Sequence, residues 1–158
     1  MKRIVFIALI NCALIQFSFS QSSWEAGIRL SSDDGQPGSQ ISIDATVPVG
    51  LKPRLHPTIY LGDGGIGFAG YFDWLFNLEG TPKNLKFYPG IGPELFFFDD
   101  FVFGIAGNFG VEYSFDFPIT VGFDWRPGFR LGDNVDTFDT SNWGIMARFN
   151  ISKFSPAR

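Results

Sequence analysis

From residue 109 to residue 131 the chain alternates apolar and polar side chains with a period of two. Odd positions carry Phe109, Val111, Tyr113, Phe115, Ile119, Val121, Phe123, Trp125, Phe129 and Leu131. Even positions include Glu112, Ser114, Thr120, Gly122, Asp124, Arg126, Gly128 and Arg130. One short break at 116–118 separates the halves. Successive side chains of a β-strand point to opposite faces, so the pattern demands two long strands, each with one apolar and one polar face. What the chain can be then depends on which face is inside.

The same period recurs in eight segments: 24–30, 40–47, 54–61, 66–76, 86–98, 101–115, 119–131 and 143–151. They are separated by turn-rich stretches such as "SSDDGQPGS", "PVGLKP", "GDGG", "NLEGTPKN" and "GDNVDTFDTS". No helical period competes after residue 21. Eight sequential strands with short links predict an up-and-down antiparallel barrel, which leaves no sheet edge. Pro57, Pro89, Pro93 and Pro127 fall inside these strands. Each removes a ladder donor, so bulges or short strands near the rims are expected there.

Volume decides the orientation. With 20 Phe and 4 Trp in the chain, the apolar face carries more large side chains than an eight-stranded barrel can enclose. The other face suits a narrow lumen. It is rich in glycine and its charges nearly cancel: Glu25, Asp44, Asp73, Glu94, Glu112 and Asp124 against Arg29, Arg54, Lys86, Arg126, Arg130 and Arg148. Buried charges are costly unless paired, so a balanced set belongs in an enclosed polar core. The expected fold is all-β: an eight-stranded antiparallel up-and-down transmembrane β-barrel, apolar side toward lipid. Strands of roughly nine to eleven residues are the length a tilted strand needs to cross a bilayer. The competing arrangements are a soluble periplasmic barrel with the apolar face around a lipid, and a narrow channel for small solutes.

The first twenty residues predict an export signal, leaving 21–158 as one barrel domain. Lys2 and Arg3 precede an apolar core from Ile4 to Ile15, with Ser18 and Ser20 before the cut. Cys12, the one cysteine, leaves with that signal, so disulfides and thiol chemistry are not expected in the mature chain. Without Lys2 and Arg3, ten Lys/Arg stand against sixteen Asp/Glu, a net charge of about −6. That argues against a nucleic-acid partner, which needs a basic face. With both termini periplasmic, the outer links carry Asp33, Asp34, Asp63, Asp99, Asp100, Asp133, Asp136 and Asp139, and the inner turns and tail carry Lys52, Lys83, Lys153 and Arg158, with Glu79 and Asp116. Trp24, Trp74, Tyr113, Trp125 and Trp143 read as interfacial girdle and lipid-facing residues.

At this point the sequence resembles the small eight-stranded outer-membrane β-barrel proteins of Gram-negative envelopes, in the OmpA/OmpX style. The closer likeness is to a subgroup with a "YPGIGPE" fifth strand, a "GNFGVEYSFDFP" sixth and a "DWRPGF" seventh, here beginning at Tyr88, Gly107 and Asp124. The ending "WGIMARFNISKF" resembles the C-terminal strand that the barrel-assembly machinery recognises, through Trp143, Ile145, Phe149, Ile151 and Phe154. The resemblance implies outer-membrane localisation, contact with membrane lipid and lipopolysaccharide, a monomer, and a structural or surface-interaction role at the cell envelope. It carries no agreed chemistry.

The candidate site is the lumen: Glu25, Arg29, Asp44, His56, Asp73, Glu94, Glu112, Asp124, Arg126, Arg130 and Arg148, read as a polar filling that fixes strand register. Within it, Glu112 is expected to pair with Arg126 beside Asp124, and Glu25 with Arg29 and Arg148. His56, the one histidine, is expected to face Asp44 across a hairpin with Ser42 nearby. That trio could be called a hydrolase triad. But Ser42 lacks a nucleophile motif, and the reading taken is a structural histidine in a protein that is not an enzyme. "DTFDTS" and "SSDDG" lack the spacing of a calcium loop, and "GDGGIG" lacks the lysine of a phosphate loop. No metal and no cofactor is expected.

Overall fold

A computed structural model describes residues 24–32, 40–62, 65–98, 100–132 and 135–154. The expected export signal lies outside them, as do Asp33, Asp34, Asp63, Asp99, Asp133 and Arg158. The order is β1 (Glu25–Ser31), β2 (Gln40–Pro48), β3 (Pro53–Gly62), β4 (Gly65–Trp74), β5 (Phe76–Asn77), β6 (Leu85–Phe97), β7 (Phe101–Ser114), β8 (Ile119–Trp125), β9 (Gly128–Leu131), β10 (Phe138–Asp139) and β11 (Trp143–Asn150). A single 3₁₀ turn, Ile151–Phe154, follows. No helix among the described residues is long and apolar enough to cross a membrane, which says nothing of crossing by strands.

The long strands pair antiparallel in the order β1, β2, β3, β4, β6, β7, β8, β11, and β11 pairs back onto β1. The sheet is therefore a closed barrel of eight staves, with β8 and β9 forming one stave and the short β5 and β10 lying at its ends. One end carries Trp24 and the 3₁₀ turn and is called the terminal end; the opposite end is the far end. The stagger can be read from the register. Stepping sideways from Gly27 through Asp44, Thr58, Ala69 and Glu94 reaches Gly104 of β7. Stepping the other way through Arg148 and Thr120 reaches Ser114 of the same strand. A stagger of about ten residues over eight staves tilts the strands by roughly 40°.

The alternation places one face inside and one outside with few exceptions. Along β11 the order is exposed, buried, exposed through all eight residues, with Trp143, Ile145, Ala147 and Phe149 outward. The inside is polar and the outside apolar, as volume requires. Exposed apolar side chains such as Ile28, Ile43, Phe68, Ile105, Phe123 and Phe129 form a belt around the barrel, while the buried apolar set is small.

Prolines cost rungs rather than bulging the wall. Pro57 pairs with Gly70 on β4, and on its other side the β2 ladder skips from Asp44↔Thr58 to Val47↔Leu55 in unchanged register. Pro93 pairs with Ile105 on β7, and the β4 ladder skips from Ala69↔Glu94 to Phe72↔Ile91. A strand residue aims its N–H at one neighbour only, so a proline breaks pairing on one side and the other side holds. Pro127 differs. The expected seventh strand, 119–131, is interrupted at Arg126 and Pro127, although β7 runs past the gap in register and Gly107 N–H donates to the Pro127 carbonyl at 2.8 Å. On the other side, Trp125↔Trp143 gives way to Gly128↔Asp139, a slip of one residue. Two strand ends are also corrected. The fourth strand breaks at Leu75, and the last ends at Asn150, which puts Ile151 and Phe154 in the 3₁₀ turn.

Candidate functional site: the polar lumen

All eleven candidate residues lie in the barrel interior. Arg29, Asp44, His56, Asp73, Glu94, Asp124 and Arg126 are wholly buried, and Glu25, Glu112, Arg130 and Arg148 nearly so. Each sits on an inward position of its stave, which is why residues distant in sequence meet. They form a continuous ladder of charge from the terminal end to the far end.

At the terminal end Glu112 is the acceptor. Arg54 donates to both of its oxygens through Nη1 at 2.9 Å, and Arg148 donates to Oε2 from Nη2. Arg54 also reaches Asp73 at 3.2 Å, and Arg148 reaches Glu25 at 3.2 Å. Thr120 caps Glu25 at 2.8 Å. Two expected pairings are therefore corrected. Glu112 is held by Arg54 and Arg148, not Arg126, and Arg29 pairs with Asp124 at 2.6 Å rather than with Glu25. The reason is reach. Arg29 leans over Gly144, whose absent Cβ leaves room for the guanidinium, and so crosses β11 to β8.

Midway, Arg126 is the hub. Its Nε donates to Asp124 at 3.1 Å, its Nη1 to Thr58 and to the Tyr60 hydroxyl at 3.1 Å each, and its Nη2 to Asp44 at 3.1 Å. Asp44 also accepts from Thr58 at 3.0 Å and from Arg148 at 3.1 Å. His56 bridges two carboxylates. Its Nε2 lies 2.9 Å from Asp44 and its Nδ1 lies 2.7 Å from Asp73. Both ring nitrogens are occupied, and the buried Ser42 hydroxyl has no hydrogen-bond partner among the described residues. The Ser42–His56–Asp44 trio is thus not assembled as a triad, which needs the serine on one ring nitrogen and the acid on the other.

Toward the far end Glu94 accepts from Tyr71 at 2.5 Å, from Tyr60 at 3.3 Å and from Arg130 at 3.3 Å. Arg130 then donates to Asp139 at 2.8 Å. Asp139, placed by the sequence in an outer link, is buried in the lumen, and it also accepts from the backbone N–H of Ser141 at 2.8 Å. Arg29 donates to Asn142 at 3.0 Å, so two lumen arginines pin the segment 139–142. Beyond this the lumen closes on apolar side chains: Phe96 and Val102, with Phe98 and Val135 packed against the cluster.

Three arginines are stacked as well as paired: Arg54 over Tyr88 at 4.5 Å, Arg126 over Tyr71 at 4.9 Å and Arg130 over Phe96 at 5.0 Å. A guanidinium can lie on a ring face while its edge makes ion pairs, which suits a crowded interior. Tyr60, Tyr71, Tyr88 and Asn108, which donates to Asp73 at 2.9 Å, belong to the site although they were not among its candidates. They lie on the polar rows of their strands, which was the available signal; Asp139 had none. Four buried polar atoms have no partner among the described residues: Arg29 Nη1, Ser42 Oγ, Arg54 Nη2 and Arg130 Nη2. No group of three or more His, Cys, Asp or Glu side chains among the described residues is arranged to hold a metal ion.

The girdle candidates face outward. Trp24, Trp74 and Trp143 are exposed, and Trp125 and Tyr113 are half-buried. No protein-family profile matches the chain, and no curated protein and no solved structure matches it either.

Proposed function

We propose that this chain is a small outer-membrane β-barrel protein of a Gram-negative envelope, exported by its first twenty residues, with a structural or surface-interaction role. The observation that carries the reading is the inversion of the barrel. Paired charges and Tyr60, Tyr71 and Tyr88 are buried inside it, and large apolar residues are exposed outside. A soluble protein rarely exposes a continuous apolar belt, and such a belt marks a surface meant to be covered. Lipid is the covering that suits a closed barrel, since its strands pair with one another around the wall and leave no open sheet edge. The strand tilt of roughly 40° lies in the range of membrane barrels.

The filled lumen favours a structural role over transport. Ion pairs run the length of the interior and Phe96 and Val102 close its far end, so a solute would have to displace buried charges to pass. In this reading the outward residues of β11, Trp143, Ile145 and Phe149, are what the assembly machinery recognises. The partners are membrane lipid and lipopolysaccharide, and the protein works as a monomer without a catalytic group or cofactor.

Cell fractionation tests this reading. The expected result is a protein in the outer-membrane fraction, released by detergent, whose gel mobility shifts on boiling as the closed barrel opens. A protein found soluble in the periplasm, with no shift, would overturn it.

A further inference from the structure

An apolar trough of about 460 Å³ crosses the outside of the wall. It follows the register row Ile28, Ala147, Val121 and Tyr113 over β1, β11, β8 and β7, and runs from Leu30 at one end to Leu85 at the other. Its origin lies in side-chain size. Ala147 is the smallest side chain in the row, set between Ile28 and Val121. The side toward the far end is formed by Leu30, Ile145, Phe123 and Val111, and beyond it lie stacked rings. Trp125 lies 5.3 Å from Trp143 with planes 17° apart, and Phe123 lies 5.6 Å from Trp143 at 21°. Tyr113 ends the row on β7, with Phe115 next to it, ring centroids 4.9 Å apart. The outward lining is thus mainly aliphatic, with Phe123 and Tyr113 as its rings.

We infer that this trough seats one hydrocarbon chain of a membrane lipid. The inference rests on the reading of the belt as lipid-facing, and adds that the lipid is held at one place rather than evenly. The trough is continuous with the apolar belt, so whatever covers the belt fills it. Its outward lining is apolar, so an occupant with polar groups would lose their hydration and gain no partner. The strands beneath it are paired on both sides along this row, which leaves no backbone donor or acceptor for an added peptide strand. A second barrel is convex in the same sense and would meet the trough only along a line. An extended alkyl chain has the shape and the chemistry. Flat, rigid rings contact it with little loss of their own freedom. Because register rows cross the tilted strands at right angles, the held chain lies oblique to the barrel axis.

The test uses the whole protein refolded into phosphatidylcholine vesicles that contain a small fraction of phosphatidylcholine with a diazirine in mid-chain. After irradiation, labelled residues are mapped by mass spectrometry. Labelling on β1, β8 and β11 is expected to exceed that on the opposite wall, at Ile43, Ile59 and Phe68, by roughly threefold or more. Ala147→Trp, an outward substitution that fills the trough, is expected to bring the two walls to parity while the boiling-dependent gel shift persists. Equal labelling of both walls in the wild-type protein overturns the trough and leaves the belt standing. So does an excess that Ala147→Trp does not change. A trough shielded from label in a protein that cross-links as a dimer assigns it to a second copy and also overturns the inference. If neither wall is labelled and the protein stays in the aqueous phase, the belt reading fails with it.

Discussion

Arg126 and Asp44 meet across the lumen: the guanidinium Nη2 donates to the carboxylate at 3.1 Å, both groups fully buried. Arg126 lies in the gap between β8 and β9, and Asp44 lies on β2. One ion pair therefore ties the seventh stave to the second through the middle of the barrel. The same arginine holds Asp124, Thr58 and Tyr60, so it joins both sides of the interior at once.

Arg126→Met should remove the hub and leave Asp44 and Asp124 short of a cation. Breaking a buried pair by removing one partner costs about 3–5 kcal/mol. Arg126→Lys should recover part of this, since an ammonium cannot reach four partners in the plane of a fork. Guanidinium unfolding of the refolded barrel, followed by tryptophan fluorescence, would measure both. An Arg126→Met midpoint equal to wild type would remove Arg126 as the hub.

Glu112→Leu separates a filling from a gate. It leaves Arg54 and Arg148 without their shared acceptor at the terminal end. The expected outcome is a loss of about 3–5 kcal/mol with no new conductance in planar bilayers. A stable variant that conducts would show that Glu112 had been closing a pore.

Gly92 and Gly70 make a matched pair on neighbouring strands. A Cβ on Gly92 would meet the backbone of β4, with the Tyr71 Cα at 2.7 Å, whereas one on Gly70 would meet nothing within 4 Å. Gly92→Ala should therefore destabilise by about 1–3 kcal/mol through overpacking. Gly70→Ala should be neutral or stabilising by up to about 1 kcal/mol, since alanine loses less backbone freedom on folding. The comparison is read from thermal or denaturant midpoints, and equal effects would refute the close approach of β4 and β6 at Gly92.

Asp139→Ala should loosen the last far-end link. Asp139 anchors the segment to Arg130 and also caps Ser141. The expected result is faster limited proteolysis within 132–142 while the barrel core stays resistant. Unchanged cleavage would mean that the Arg130 contact does not hold the link.

Much of this protein was legible in its strands because their period is strict. Residues such as Arg29, Asp44 and His56 could be assigned to one face from parity alone, since β-strands alternate sides without regard to what lies opposite. The prolines were legible as lost donors but not in their effect. Whether a missing N–H bends a strand or merely skips a rung depends on which neighbour it faces, and that is set by register.

The sequence by itself determined the all-β class, the number of staves and the division into a polar and an apolar face. The volume of the aromatic side chains determined which face was enclosed. Only the tertiary structure decided who pairs with whom. A stagger of about ten residues brings Glu112 to Arg54 and Arg148 and sends Arg29 over Gly144 to Asp124. It also turned Asp139 from a link residue into a buried anchor for Arg130. Parity is local and can be counted along the chain. Pairing across a lumen depends on the tilt at which the sheet closes and on how far each arginine reaches, and no single strand carries either quantity.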